Sequence, residues 1–153
     1  MAVHPRWVRE FLSAADLDSV AAVVAAAEAR TAAEIRVHLD HRCPGDAMAR
    51  AVEVFERLGM ARTDLRAGVL VYVAVADRKL AVIGDAGIHA RVGQAYWDGL
   101  VARILGHLRD ERPLDGLTDA VREIGVSLAA HFPRRPDDRN ELSDRVSMDD
   151  EPA

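Results

Sequence analysis

The chain has 153 residues, half of them hydrophobic, and a formal net charge of −5, which is the composition of a folded soluble domain and excludes a disordered chain. A sequence pI near 5.6 argues against a nucleic-acid binder, because phosphate-contacting domains carry a basic face. One cysteine, Cys43, excludes an internal disulfide and a structural cysteine–zinc site.

Ser13 opens the first predicted helix, running to Arg30, with Asp16 three residues on as its capping partner and Leu17, Val20, Val24 and Ala27 at helical spacing. Glu34 to Leu39 alternates Ile35, Val37 and Leu39 with polar residues, the pattern of a strand with one buried face. Pro44-Gly45-Asp46 starts a second helix, with Met48, Val52, Phe55 and Leu58 on one stripe and Gly59 at its end. Two apolar runs, Val69 to Val75 and Leu80 to Ile83, flank the polar turn Asp77-Arg78-Lys79 and predict a β-hairpin. From Ala86 the spacing of Ile88, Val92, Tyr96, Leu100 and Ile104 predicts one long helix to about Leu108. After Pro113 and Gly116 a last helix carries Leu117, Val121, Ile124, Leu128 and Phe132 until Pro133 stops it.

The order α-β-α-β-β-α-α predicts a three-layer α/β/α sandwich around a small mixed sheet, as one domain over residues 1–133. The acidic polar tail, residues 134–153, cannot bury a core and is expected to be partly disordered. The longest uncharged run is far short of the ~20 residues that span a bilayer, and the N-terminus lacks the apolar stretch of a signal peptide, so a cytoplasmic protein with no membrane span is expected.

Strand directions sort the charged residues. A helical connection makes the first two strands parallel through a right-handed crossover, and the hairpin makes the third antiparallel. Glu34, Asp64 and Asp85 then share one sheet edge, while Asp77, Arg78 and Lys79 lie at the other. Three carboxylates at strand ends suit a hard divalent cation, Ca²⁺ or Mg²⁺, which takes oxygen ligands. Each has a plainer role available: Asp85 as the N-cap of the helix from Ala86, Glu34 as an exposed strand-start carboxylate paired with an arginine, Asp64 as a turn former. His89, one helical turn past Asp85, could face the same edge or be structural. His38 and His41 show no metal spacing. Asp77-Arg78-Lys79 reads as a solvated turn or as a contact for an anion or a partner. Asp137, Asp138, Asn140, Glu141 and Asp144 only loosely suggest a cation loop, since the glycine of an EF-hand is missing. No nucleophile motif, P-loop or dinucleotide fingerprint occurs.

An ordered set of segments carries a family resemblance over roughly residues 13 to 144. It comprises Thr31-Ala32-Ala33-Glu34-Ile35-Arg36-Val37, Leu58-Gly59-Met60, Gly68-Val69-Leu70-Val71-Tyr72-Val73-Ala74 and Asp77-Arg78-Lys79. It continues with Ile83-Gly84-Asp85-Ala86-Gly87-Ile88-His89, Val92-Gly93, Trp97, Gly116-Leu117, Gly125, His131-Phe132-Pro133 and Asp137-Asp138-Arg139-Asn140-Glu141-Leu142. The chain resembles the TPM domain, whose members include a thylakoid-lumen acid phosphatase and photosystem II repair factors. The resemblance implies an α/β/α sandwich of Rossmann-like appearance, divalent-cation binding with calcium reported, and a weak phosphatase activity in some members. By position its acidic matches are Glu34, Asp77 and Asp85. Ala67 departs from the asparagine of relatives, and Ser143 and Arg145 interrupt the tail pattern, which weakens a tail-borne cation site.

Two functions follow as expectations. One is a cytosolic domain whose acidic edge of Glu34, Asp64 and Asp85 binds Ca²⁺ or Mg²⁺ and supports a metal-assisted phosphomonoesterase acting on a phosphorylated substrate. The other is a non-enzymatic protein-interaction or scaffolding module that presents Asp77, Arg78, Lys79 and the acidic tail to a protein partner.

Overall fold

The computed structural model describes residues 4–62, 65–134 and 146–149. Six helices and four strands occur among them: α1 (Arg6–Phe11), α2 (Ala14–Glu28), β1 (Ile35–Asp40), α3 (Ala47–Arg57), β2 (Val69–Ala74), β3 (Lys79–Gly84), α4 (Ala86–Val92), α5 (Gln94–Arg109), α6 (Pro113–His131) and β4 (Ser147–Asp149). The sheet order is β3-β2-β1-β4. β1 pairs in parallel with β2 on one side and with β4 on the other, and β3 closes the hairpin antiparallel to β2. The strand directions expected from the sequence are therefore the observed ones.

Helices cover both faces of the sheet. Ile35, Val37 and Leu39 of β1, Val69, Val71 and Val73 of β2, and Val82 of β3 point into the larger core with α1, α2, α4, α5 and α6. Leu70, Tyr72 and Ala74 of β2 and Ala81 of β3 point the other way, into a smaller core under α3. All of β2 is buried, as a strand covered on both faces requires. The fold is the three-layer α/β/α sandwich that the element order predicts.

Local chemistry sets the helix ends. Ser13 Oγ accepts the Asp16 N–H at 3.0 Å while Asp16 accepts the Ser13 N–H at 3.2 Å, a complete capping box on α2. Asp46 caps α3 by accepting from Ala49 N at 2.9 Å, and Pro113 occupies the first turn of α6, where a missing N–H costs nothing.

Four elements differ from the expectation. The single long helix from Ala86 is two, α4 and α5, split at Gly93, whose φ of +80° no helix accommodates. α3 buries Arg50, Ala51, Val54 and Phe55, whereas Met48 and Val52 of the predicted stripe are exposed. α1 has no counterpart in the sequence reading; it docks through Val8, and Trp7 stacks on His41 with ring centroids 5.1 Å apart. β4 arises in the polar tail, where composition announces no element.

A buried polar cluster at the carboxyl end of the sheet

Side chains alternate along β1, so Ile35, Val37 and Leu39 face the larger core and Arg36, His38 and Asp40 face α3. The second face is not solvated as its polarity suggests: His38 and Asp40 are fully buried. β2 contributes Tyr72 from the register position beside His38, α3 contributes Arg50 and Arg57, and β4 contributes Ser147 and Asp149.

Asp40 is the hub. Its Oδ2 accepts from Arg50 Nε at 2.8 Å and from the Tyr72 hydroxyl at 2.5 Å, and its Oδ1 accepts from His38 Nε2 at 3.0 Å and Arg50 Nη2 at 3.3 Å. Because a carboxylate only accepts, His38 Nε2 donates in the contact with Asp40, and Nδ1 lies in hydrogen-bond contact with Ser147 Oγ at 2.7 Å. Asp149 accepts from Arg50 Nη2 at 3.2 Å and from Arg57, and its carboxylate lies 3.4 Å from His38 Nε2.

The electrostatics follow from these contacts. Burial alone pushes the Asp40 carboxyl up, but hydrogen bonds from His38, Arg50 and Tyr72 outweigh it and hold the group well below the usual carboxylate range. Hydrogen bonding to Asp40 raises Arg50, and burial followed by the Asp40 contact raises Tyr72. Asp40 is therefore ionised inside the fold, and two guanidinium groups balance two carboxylates.

His38, Asp40 and Asp149 each offer one donor atom within 4.8 Å of the others, and they form the one such group of three found among the described residues. Their donor chemistry, two carboxylates and one imidazole, is a set that divalent cations accept. Arg50 and Arg57 oppose a cation there. Arg50 is buried at 7% side-chain exposure, whereas Arg57, at 43%, pairs with Asp149 from the solvent side.

The residues singled out from the sequence lie elsewhere. Glu34 and Asp85 do share one sheet edge, but β2 runs between them: Val69 N donates to the Glu34 carbonyl at 2.9 Å and Asp85 N to the Gly68 carbonyl at 2.9 Å. Asp85 caps α4 by accepting from Ala86 N at 2.7 Å and takes both prongs of the Arg66 guanidinium, at 2.8 and 3.0 Å. Glu34 is buried, not an exposed strand-start residue. Asp64 lies outside the described residues, as do Asp137, Asp138, Asn140, Glu141 and Asp144. His89 accepts from Trp97 Nε1 at 3.0 Å, which is a packing role.

The hairpin tip turns inward. Asp77 accepts from Cys43 N at 2.6 Å, and Lys79 Nζ donates to the carbonyls of Cys43 and Gly45, both at 2.7 Å. Arg78, at φ +53°, is the exposed member. Asp77 and Lys79 thus clamp the loop between β1 and α3, the loop that follows Asp40.

The sequence reading missed His38, Asp40, Arg50 and Asp149 as a group. A signal existed for two of them, since His38 and Asp40 stand two apart on one face of a strand. Cavities of about 640 Å³ beside α2 and α6 and about 730 Å³ near Arg78 and Arg109 also exist, but neither is lined by this cluster. No helix among the described residues is long and apolar enough to cross a membrane.

Comparison with known proteins places the fold. No curated protein matches the sequence. Among solved structures, the NMR structure of the BA42 protein from the psychrophilic bacterium Bizionia argentinensis is 36% identical, with a TM-score of 0.85 over 93% of this chain and 98% of that one. Residues 8–126 match the TPM domain, so the chain belongs to the TPM domain family.

Proposed function

We propose that this TPM-family domain binds a divalent cation at the carboxyl end of β1, on His38, Asp40 and Asp149. The observation that supports it is the convergence of one imidazole and two carboxylates within 4.8 Å where parallel strands end, the usual place for a ligand in open α/β sheets. A bound ion would displace Arg57 from Asp149 and the proton from His38 Nε2, the ring proton then residing on Nδ1 and being donated to Ser147 Oγ, while Arg50 would keep its Nε contact with Asp40 Oδ2. Affinity is consequently modest, because the entering ion competes with a guanidinium. Mg²⁺ and Ca²⁺ suit the carboxylates, and the imidazole extends the set to Mn²⁺.

The same reading includes a weak, metal-assisted phosphomonoesterase. A divalent ion supplies charge that polarises a phosphoryl oxygen and orients water. The chain's own contribution is positional: Tyr72 and Arg50 hold Asp40 ionised, Ser147 fixes the His38 ring, and the Asp77–Lys79 clamp keeps the adjoining loop closed. Titration of Mn²⁺, Mg²⁺ and Ca²⁺ into wild type and Asp149→Asn, with phosphomonoester turnover followed in parallel, tests this. Binding unchanged in Asp149→Asn overturns the site.

The rival set is Glu34, Asp64 and Asp85. Its support is the shared sheet edge of Glu34 and Asp85, and against it stands the use of both Asp85 oxygens by Arg66 and the α4 cap. An interaction module is a further reading, favoured by the way Asp149 docks a strand onto Arg50 and Arg57.

A further inference from the structure

β4 occupies the outer edge of β1 as a bound peptide would. It pairs with His38, Leu39 and Asp40, three of the six residues of β1, and its last carbonyl accepts from His41 N at 3.0 Å. Alternate side chains face opposite ways. Val146 and Met148 pack against the larger apolar core, while Ser147 meets His38 and Asp149 meets Arg50 and Arg57. The strand is only three residues long and half-buried, so backbone pairing alone is a weak anchor. Side-chain recognition supplies the rest: a carboxylate between two guanidinium groups, a hydroxyl on an imidazole, and two apolar side chains on the core.

We propose that the β1 edge is a receptor for an extended acidic peptide of the pattern apolar-Ser-apolar-Asp, which adds to the sheet as a parallel strand, and that residues 146–149 are its resident ligand in cis. The ligand class is set by the groups that read it. Arg50 and Arg57 select a carboxylate at the fourth position, His38 selects a hydroxyl at the second, and the β1 backbone selects an extended chain. The tethered strand is present at an effective concentration of about millimolar, so it screens the edge from weak partners and yields to stronger ones. This inference stands apart from the cation reading, because guanidinium contacts, not a metal, hold Asp149 in it.

The test uses the full chain in EDTA, so that a failed cation site cannot affect it. A fluorescent peptide of residues 145–151 is titrated into wild type and into Asp149→Arg, whose new cation is repelled by Arg50 and Arg57 and empties the edge. Removing the tethered competitor should tighten peptide binding by about tenfold or more, and Asp149→Asn in the peptide should abolish that gain. Arg57→Gln, added to the receptor chain, should weaken the peptide by about tenfold. Equal binding to wild type and Asp149→Arg, or equal binding of the Asp and Asn peptides, overturns the proposal. Should Asp149→Arg not fold, wild type alone decides. Excess unlabelled peptide at about millimolar concentration should displace the resident strand and move its own Ser147 and Met148 amide resonances in isotope-labelled wild type, with the Asn peptide inert. Unmoved Ser147 and Met148 amides overturn the receptor.

Discussion

Arg50 donates its Nε–H to Asp40 Oδ2 over 2.8 Å, joining α3 to β1 through a charge pair that is buried on both sides. Removing one partner strands the other charge in the interior, which costs about 3–5 kcal/mol. Arg50→Met should lower stability by about that amount in urea denaturation. The double variant Arg50→Met with Asp40→Leu should recover a substantial part of it, because the pair is replaced by packing. Additive losses would show that the two residues are not coupled.

The pH dependence has a definite sign. Asp40 titrates below its ordinary value of 3.8 in the folded state, so the folded protein holds this proton more weakly than the unfolded chain does. Its stabilising contribution is complete above that ordinary value and is lost as pH falls toward the folded one. Denaturation midpoints in EDTA should fall between about pH 5 and pH 2, and Asp40→Asn should flatten that slope while lowering stability at neutral pH. An unchanged slope in Asp40→Asn would contradict the assignment.

Lys79 is the only lysine in the chain, and its ammonium holds the carbonyls of Cys43 and Gly45. Cys43 is buried under that clamp. Lys79→Met should open the loop locally and speed the reaction of Cys43 with a thiol reagent by about tenfold, with a smaller change in global stability. The same reaction rate in both proteins would mean that the loop is closed by other contacts.

Gly87 sits where a side chain cannot. A Cβ there would lie 2.6 Å from the backbone carbonyl oxygens of Leu65 and Arg66, and Gly87 N donates to the Arg66 carbonyl at 2.8 Å. Backbone cannot yield as a flexible side chain can, so Gly87→Ala should cost about 1–3 kcal/mol by calorimetric unfolding. A neutral effect would place α4 farther from this segment.

Arg57 competes with any cation at Asp149. Arg57→Gln should therefore raise divalent affinity by about fivefold or more in calorimetric titration, whereas a purely structural cluster gains no binding from it.

Much of this was legible in the sequence. The Ser13 cap, the helix start at Pro44-Gly45-Asp46, the hairpin and the parallel pairing of β1 with β2 all follow from local chemistry and connection length. The candidate site was not legible, for three physical reasons. Polar residues on β1 read as solvent-facing because nothing local reveals that α3 covers them. Arg50 interrupts an apolar stripe, so periodicity assigned the buried face of α3 to Met48 and Val52. Asp149 reaches His38 across more than a hundred residues of sequence, and no local pattern encodes that contact. The acidic residues that did stand out, Asp77 and Asp85, hold backbone amides and an arginine.

The most direct test is a Mn²⁺ titration, read by calorimetry, into wild type, Asp149→Asn and Asp85→Asn. Saturable binding in wild type that persists in Asp85→Asn and disappears in Asp149→Asn is the predicted result. Binding that disappears in Asp85→Asn and persists in Asp149→Asn would contradict it and move the cation to the opposite edge of the sheet.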